Sequence, residues 1–119
     1  VEKYVADPLC GFVFTVNGFL TSFELISRLY RSENLERIPK ALPVYMVSGD
    51  GDPVGDYGRG VQRAYESLLG AGLENISLKM YPGARHELLN ETNRDEVMKD
   101  IFRWMEETVL NGSKPGQQE

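Results

Sequence analysis

The centre of the chain carries two short apolar segments that predict β-strands. The run "VYMV", from Val44 to Val47, follows a proline and ends near a glycine, which is typical of a strand buried on both faces in a parallel sheet. In "ISLKMY", from Ile76 to Tyr81, apolar residues alternate with other residues. This second pattern predicts a strand at or near the edge of a sheet, with one apolar face and one mixed face.

Helical periodicity lies between these strands and after them. Apolar residues recur at three- and four-residue steps from Val61 to Leu69, and Gly72 can take the left-handed conformation that ends a helix. Further on, Asn93 and Glu96 have the spacing of a capping box that begins a last helix, with Thr92 as an alternative cap. One side of that helix would carry Val97, Ile101, Trp104, Met105 and Thr108.

The first forty residues carry a weaker pattern. An apolar run from Phe12 to Val16 precedes a helical stripe that ends near Ser32. The stripe consists of Phe19, Phe23, Ile26, Leu29 and Tyr30. We therefore assign residues 1–40 to an irregular start and a helix, residues 41–111 to an α/β core, and residues 112–119 to a polar tail.

The order strand, helix, strand, helix requires a parallel pair of strands joined by a right-handed crossover. A two-stranded sheet is marginal by itself, and a strand with two apolar faces needs further strands and helices around it. The predicted fold is therefore the C-terminal β-α-β-α portion of a larger parallel α/β domain, preceded by a helical segment. The start at Val1, rather than at a methionine, agrees with this interpretation.

Composition narrows the classes of function. The chain has 119 residues with 18 acidic and 13 basic side chains, and its net charge of −5 disfavours binding to nucleic acid. With Cys10 as the only cysteine and His86 as the only histidine, we expect neither an internal disulfide nor a zinc site. No segment has the length of a membrane span, and the start lacks a signal-peptide pattern. We expect a soluble, cytoplasmic protein without a cofactor, in which exposed apolar sheet surface would favour self-association.

The segment "SGDGDPVGDYGRG", from Ser48 to Gly60, allows three interpretations. A calcium loop that starts at Asp50 would need a glutamate at its twelfth position, but that position is Val61, and Pro53 interrupts the loop. A phosphate loop would need a lysine and a serine or threonine after its glycines, and these are absent. In the third interpretation the segment is an active-site loop, because open α/β sheets carry out chemistry at the carboxyl ends of their strands. A plain turn rich in aspartate and glycine stays open for this segment taken alone.

The position of His86 favours the active-site interpretation. It follows the second predicted strand, and loops that leave adjacent parallel strands lie at the same edge of the sheet. An aspartate that accepts a hydrogen bond from one imidazole nitrogen fixes the tautomer and supports the charge that forms when the other nitrogen takes a proton. Asp52 and His86 are therefore candidates for a general-base pair, while Asp50 and Asp56 compete with Asp52 on composition.

At these residues the sequence resembles the α/β-hydrolase superfamily, in its serine aminopeptidase-like branch that contains monoacylglycerol lipases and lysophospholipases. The resemblance covers roughly residues 5 to 110 and is carried by "ADPLCGFVFT", "LPVYMVSGDGDPVGDYGRGV", "LKMYPGARHELLNE" and "DIFRWM". In that family the catalytic acid follows the penultimate strand, which maps onto Asp52, and the catalytic histidine follows the last strand, which maps onto His86. The first forty residues resemble the stretch that leaves the family's cap and returns to the core.

The family's nucleophile has no counterpart among these residues. It is a serine on a G-x-S-x-G turn ahead of the acid and the histidine. None of the serines of this sequence lies in such a turn: Ser22, Ser27, Ser32, Ser48, Ser67, Ser77 and Ser113. The resemblance therefore implies a C-terminal segment of a serine hydrolase of carboxylic esters, of the monoacylglycerol or lysophospholipid type, that is inactive alone. The alternative is a non-catalytic binding or assembly module derived from a hydrolase fold.

Three further groups of residues have a structural and a functional interpretation. We expect Arg85 and Glu91 to form an ion pair that braces the histidine loop, and Glu87 to be a second brace rather than a second acid. The phenylalanines of the first forty residues would line an acyl pocket or pack in the core, and the helical spacing favours the core. They are Phe12, Phe14, Phe19 and Phe23.

Overall fold

The computed structural model describes residues 2–110, without the side chains of Lys3 and Val109. The predicted polar tail, residues 112–119, lies outside that range. The chain divides into two compact units, Val1–Leu35 and Glu36–Glu119. Three helices make up the described part of the first unit: α1 (Glu2–Ala6), α2 (Val16–Leu29) and α3 (Ser32–Leu35).

Helix α2 is the helix that the stripe in the first forty residues predicts. It begins after Thr15, whose side-chain oxygen accepts a hydrogen bond from the Gly18 N–H at 3.1 Å, so that a threonine cap satisfies one of the free donors of the first turn. No residue of α2 is buried, and the prediction that the phenylalanines pack in the core is wrong. Instead the rings of Phe12, Phe14, Phe19 and Phe23 contact one another in sequence and stay exposed.

The second unit has the predicted β-α-β-α order. Strands β1 (Val44–Gly49) and β2 (Ile76–Tyr81) are parallel, in a register that pairs Val44 with Ile76 and Gly49 with Tyr81. Helix α4 (Arg59–Gly70) connects them. A short 3₁₀ turn (Leu88–Asn90), helix α5 (Arg94–Trp104) and a π-helical segment (Met105–Leu110) follow β2.

Helix α4 ends as its glycines predict. Gly72 has φ +91°, the left-handed conformation in which a side chain would be strained. Its N–H donates to the Leu69 carbonyl at 2.9 Å, and the N–H of Leu73 donates to the Leu68 carbonyl at 3.2 Å. These two bonds form the Schellman motif, which satisfies the last carbonyls of the helix and directs the chain towards β2.

The core of the second unit lies on the face of the sheet that α5 covers. Its buried residues are Tyr81, Ala84, Leu88 and Val97, with Val47 and Ile101 packed against them. Tyr81 belongs to the face predicted to be mixed, and its ring is fully buried while its hydroxyl donates to Oδ2 of Asp100 at 2.9 Å. Burial raises the pKa of the Tyr81 hydroxyl, which keeps it a donor.

Two details of the predicted elements are wrong. Residues 44–47 of β1 are half-buried, and only Ser48 and Gly49 are buried, because β1 pairs with β2 alone in the part of the chain that the structure describes. Asn93 does precede α5, but its side chain makes no capping hydrogen bond, so the predicted capping box is not formed. None of the helices between residues 2 and 110 combines the length and the apolar character that crossing a bilayer requires.

Candidate active site

The loop after β1, residues 50–58 and here called the acid loop, folds around the carboxylate of Asp52. Oδ1 of Asp52 accepts a hydrogen bond from the Val54 N–H at 2.9 Å, and the Asp52 carbonyl accepts one from the Tyr57 N–H at 2.8 Å. The Asp52 residue is 5% exposed. A buried carboxylate needs hydrogen-bond donors, and the Val54 N–H of the same loop supplies one of them. The bond from Tyr57 holds the backbone around it.

The end of the acid loop is a left-handed turn. Asp56, Tyr57 and Gly58 have φ of +54°, +53° and +84°, a conformation that is unfavourable for the first two because they have a Cβ. The carboxylate of Asp56 accepts from Arg59 at 2.8 Å and from Arg63 at 3.2 Å, and these contacts hold the turn against the first turns of α4.

The loop after β2, residues 82–87 and here called the histidine loop, starts with a tight turn. The Ala84 N–H donates to the Tyr81 carbonyl at 3.3 Å, with Pro82 and Gly83 between them, and Gly83 has φ +72°. Proline in second place and a glycine with positive φ in third place are the features of a type II turn. Ala84 and Leu88 are both buried, so the residues between them are presented outwards.

The predicted brace of the histidine loop is confirmed. Oε1 of Glu91 accepts a hydrogen bond from the Arg85 N–H at 2.8 Å and lies 3.7 Å from Nε of the same arginine. The Arg85 side chain is mostly exposed, so the backbone contact is the more secure of the two. Glu87 accepts from the amide of Asn90, within the same stretch of chain.

The structure brings Asp52 and His86 together. Oδ2 of Asp52 lies 2.9 Å from Nδ1 of His86, and this contact links the two loops across the end of the sheet. With Asp52 ionised, the Nδ1–H of His86 donates to it, and the lone pair of Nε2 is left free. The predicted contact is therefore present, and an ionised Asp52 favours the Nδ1–H tautomer of the imidazole.

Each member of this pair stabilises the charged form of the other. The hydrogen bond from His86 holds the pKa of the Asp52 carboxyl below its ordinary value, against the opposing effect of burial. The hydrogen bond to Asp52 and the charge of that carboxylate raise the pKa of the imidazole, with a smaller contribution from Glu87. His86 is therefore a stronger base than a free histidine.

The pair lies at an open cleft of about 410 Å³. It is lined by three residues of the acid loop, three of the histidine loop and two that follow it: Asp52, Pro53, Val54, Arg85, His86, Glu87, Asn90 and Glu91. The side chain of His86 is 65% exposed, whereas that of Asp52 is 7% exposed. The imidazole is therefore much more accessible to a ligand in this cleft than the carboxylate is.

The other two aspartates of the acid loop face different partners. Asp50 accepts a hydrogen bond from the Gly83 N–H, and Asp56 pairs with Arg59 and Arg63. The three carboxylates therefore do not converge as calcium ligands would. Among residues 2–110, no three His, Cys, Asp or Glu side chains come together as metal ligands.

Sequence reasoning missed the contact between Asp50 and the histidine loop. The turn signal "YPGA" was available, since a proline followed by a glycine predicts a type II turn directly before His86. That signal predicts the position of the turn but not its hydrogen-bond partner. Asp50 comes close to Gly83 only because β1 and β2 pair with each other.

Known proteins are similar to this chain in sequence and in fold. The family described as "Serine aminopeptidase, S33" matches residues 1–93. A monoglyceride lipase homolog of Monkeypox virus is 32% identical over 117 residues, which cover 96% of this chain and 38% of that protein. A highly thermostable carboxyl esterase from Bacillus coagulans, solved in complex with glycerol, is 32% identical, with a TM-score of 0.75 over 89% of this chain and 35% of that chain.

The matches show the family of this chain, but they cover only part of each relative. The chain spans well under half the length of both proteins, so the activity of either whole protein does not follow from the match alone. The family match covers more than half of this chain, and the solved esterase shares its fold. The chain belongs to the serine aminopeptidase S33 family of the α/β hydrolases.

Proposed function

We propose that Asp52 and His86 are the acid and the base of a serine hydrolase that cleaves carboxylic esters. The observation that carries the proposal is the 2.9 Å contact between Oδ2 of a buried carboxylate and Nδ1 of an exposed imidazole, at the edge of an open cleft. The serine would come from outside these 119 residues, since none of their serines lies in a G-x-S-x-G turn. These residues alone would then be inactive.

In this mechanism His86 moves the proton. Nε2 takes the proton of the serine hydroxyl as its oxygen attacks the ester carbonyl, and the imidazolium returns that proton to the leaving alkoxide. The acyl group is then on the serine, and water releases it by the same two proton transfers. A raised pKa of the imidazole suits the first transfer, because it makes Nε2 the better acceptor.

Asp52 would act through His86 rather than on the substrate. The hydrogen bond from His86 lowers the pKa of Asp52 against the effect of burial and so keeps the carboxylate ionised. In that state Asp52 holds Nδ1–H in place and offsets the charge of the imidazolium. Of the three carboxylates in the acid loop, only that of Asp52 contacts His86 within the residues that the structure describes. Neither a metal nor a cofactor has a role in these steps.

The proposed substrates are small acyl esters, with monoacylglycerols and lysophospholipid-like esters first among them. Both relatives carry names of ester hydrolases, a monoglyceride lipase homolog and a carboxyl esterase. The cleft fits this class because Pro53 and Val54 contribute apolar surface to a lining that also contains the imidazole.

The test is ester hydrolysis by the full-length protein and by matched variants. With a short-chain aryl ester and a monoacylglycerol as substrates, we expect His86→Gln and Asp52→Asn each to lower kcat by roughly 10³-fold or more. The control is Asp56→Asn, which makes the same chemical change in the same loop but faces the arginines, and we expect it to keep near-normal kcat.

Two results would reject the assignment. Undiminished turnover in His86→Gln would exclude His86 as the base, and a loss in Asp56→Asn equal to that in Asp52→Asn would exclude Asp52 as the acid. Absence of hydrolysis in the full-length protein, together with the lack of a G-x-S-x-G turn anywhere in its reading frame, would favour the non-catalytic module instead.

A further inference from the structure

The two loops of the site are joined by two hydrogen bonds besides the one between Asp52 and His86. Oδ1 of Asp50 accepts from the Gly83 N–H at 2.6 Å, and the Ala84 carbonyl accepts from the Gly51 N–H at 2.9 Å. One donor lies in each loop, so the two bonds run in opposite directions. We call this pair of bonds the loop clamp.

The loop clamp lies between the end of the sheet and the catalytic contact. Asp50 comes two residues before Asp52, and Gly83 comes three residues before His86. Up to the clamp the strands are held by their own pairing, which continues as far as the bond from the Asp50 N–H to the Tyr81 carbonyl. Beyond the clamp, only the Asp52–His86 hydrogen bond is shown to join the two loops.

The two loops approach each other closely at the clamp. A Cβ on Gly51 would lie 3.1 Å from the Ala84 carbonyl oxygen and 3.2 Å from the Gly83 carbonyl oxygen. The Asp50 bond is short, as hydrogen bonds to an ionised carboxylate are. The clamp is therefore a specific and close contact rather than an incidental one.

We propose that Asp50 is a positioning residue for His86: its carboxylate fixes the turn at Gly83 and thereby sets the distance from the imidazole to Asp52. Pro82 and Gly83 are exposed, so packing does not hold this turn, whereas Ala84 is buried and serves as the pivot. Without an acceptor at position 50, the Gly83 N–H turns to water and the histidine loop gains freedom ahead of His86. The consequence for catalysis rests on the proposed function; the consequence for the imidazole does not.

The experiment measures the imidazole of His86 by NMR as a function of pH, in the full-length protein labelled on histidine. The signals of His86 are identified by their loss in His86→Gln. For Asp50→Ala we expect the Nδ1–H resonance to be lost to exchange and the pKa to fall towards the ordinary value. Asp50→Asn keeps an oxygen that can accept from Gly83 and is expected to restore both signals.

Two more variants distinguish the effect of the charge of Asp50 from the effect of the position of its carboxylate. Asp50→Glu keeps the charge but carries the carboxylate one methylene further out, and we expect it to resemble Asp50→Ala. Asp56→Asn removes a charge from the same loop without touching the histidine loop, and we expect it to resemble the wild type. Asp50 is exposed, so we expect these variants to fold. If Asp50→Ala does not fold, the comparison of Asp50→Asn with Asp50→Glu is sufficient to test the positioning role.

Activity provides the second readout. If the protein hydrolyses esters as proposed, Asp50→Ala lowers kcat by roughly 10- to 100-fold with little change in KM, because the base is misplaced while the cleft is kept. Wild-type imidazole signals in Asp50→Ala or Asp50→Glu, or equal losses in Asp50→Asn and Asp50→Ala, would overturn the positioning role. A protein without ester hydrolysis in which the Asp50 variants still shift the His86 signals would contradict the proposed function and support the clamp.

Discussion

The acid loop and the histidine loop meet at the contact between Asp52 and His86, but they are held in different ways. The acid loop is held mainly by hydrogen bonds within itself and to the first turns of α4. Val54 and Tyr57 donate to Asp52, and Gly60 donates to the Gly55 carbonyl at 3.0 Å. Most partners in this loop are fewer than nine residues apart in sequence.

The histidine loop is held mainly from outside. Ala84 and Leu88 are fixed in the core, Glu91 braces the backbone of Arg85, and the acid loop supplies Asp50. His86 itself is exposed, and its one hydrogen bond in the described part of the chain goes to Asp52.

The difference separates two requirements of a general-base pair. The carboxylate has to stay ionised in a fixed place, and a self-contained loop can bury it with its own donors. In the proposed mechanism the imidazole has to reach the substrate, and His86 lies on an exposed loop whose position depends on the core and on the acid loop. We therefore expect changes in the core and at the clamp to displace His86 before they displace Asp52.

The largest effect is expected where the end of β1 touches the histidine loop through backbone atoms. A Cβ at Gly49 would lie 2.0 Å from the Ala84 carbonyl oxygen, so Gly49→Ala cannot be accommodated without moving the histidine loop. We expect the free energy of unfolding to fall by about 3 kcal/mol in urea denaturation.

The control for this substitution is Gly70→Ala at the end of α4, where a Cβ would meet nothing within 4 Å. Because alanine favours helix, we expect this variant to gain roughly 0.5–1 kcal/mol. Wild-type stability in Gly49→Ala would show that the fold does not require the close approach of Gly49 to the histidine loop.

The next effect tests the support of the histidine loop by the core. Leu88→Ala removes a buried side chain directly after the loop, and we expect a loss of roughly 2–3 kcal/mol with broadening of the His86 resonances. Its neighbour Leu89 is 55% exposed, so Leu89→Ala should change stability by about 0.5 kcal/mol or less. Equal effects of the two substitutions would contradict the view that the core holds this loop.

A smaller effect tests the local support of the acid loop. Tyr57 has φ +53°, and a β-branched residue is strained most in this conformation. Tyr57→Val is expected to lower the free energy of unfolding by about 1 kcal/mol, whereas asparagine tolerates positive φ and Tyr57→Asn should be near neutral. If both variants are equally stable, the left-handed turn does not constrain the loop.

The smallest effect is the dependence of stability on pH. The pKa of Asp52 is lowered, so its contribution is present above its ordinary value of 3.8 and is lost as the pH falls through the lowered pKa. The pKa of His86 is raised, so its contribution is present below its ordinary value of 6.5 and is lost as the pH rises through the raised pKa.

The pair therefore stabilises the fold most between about pH 4 and pH 6.5. In thermal unfolding, the difference in Tm between the wild type and His86→Gln should be largest in this window and smaller on both sides of it. The exposure of His86 keeps the difference small. A difference that does not change with pH would mean that the pair contributes no charge-dependent stability.

The elements that local sequence determines were predictable from the sequence. The contacts between the two loops show which part of the site was not. The strands, α4 with its Gly72 end and the start of α5 follow from periodicity and turn chemistry, as does the meeting of Asp52 and His86 at one sheet edge. The clamp between Asp50 and Gly83 was not predictable, because a hydrogen bond between loops depends on the exact register of β1 and β2.

The predictions on burial failed for a related reason. Apolar periodicity shows which residues share a side of an element, but not what covers that side. The stripe of α2 is regular and yet exposed, and β1 is apolar and yet half-buried along residues 44–47. Burial is a property of the packed elements around a segment, which the segment's own sequence does not contain.

The most direct test of the central claim is the protonation of His86 in the resting protein. A ¹⁵N-detected NMR titration distinguishes the two neutral tautomers and measures the imidazole pKa, and Asp52→Asn is the matched comparison. We predict the Nδ1–H tautomer with a pKa above 6.5 in the wild type, and a fall of that pKa in Asp52→Asn. An Nε2–H tautomer with an ordinary pKa that Asp52→Asn leaves unchanged would contradict the account.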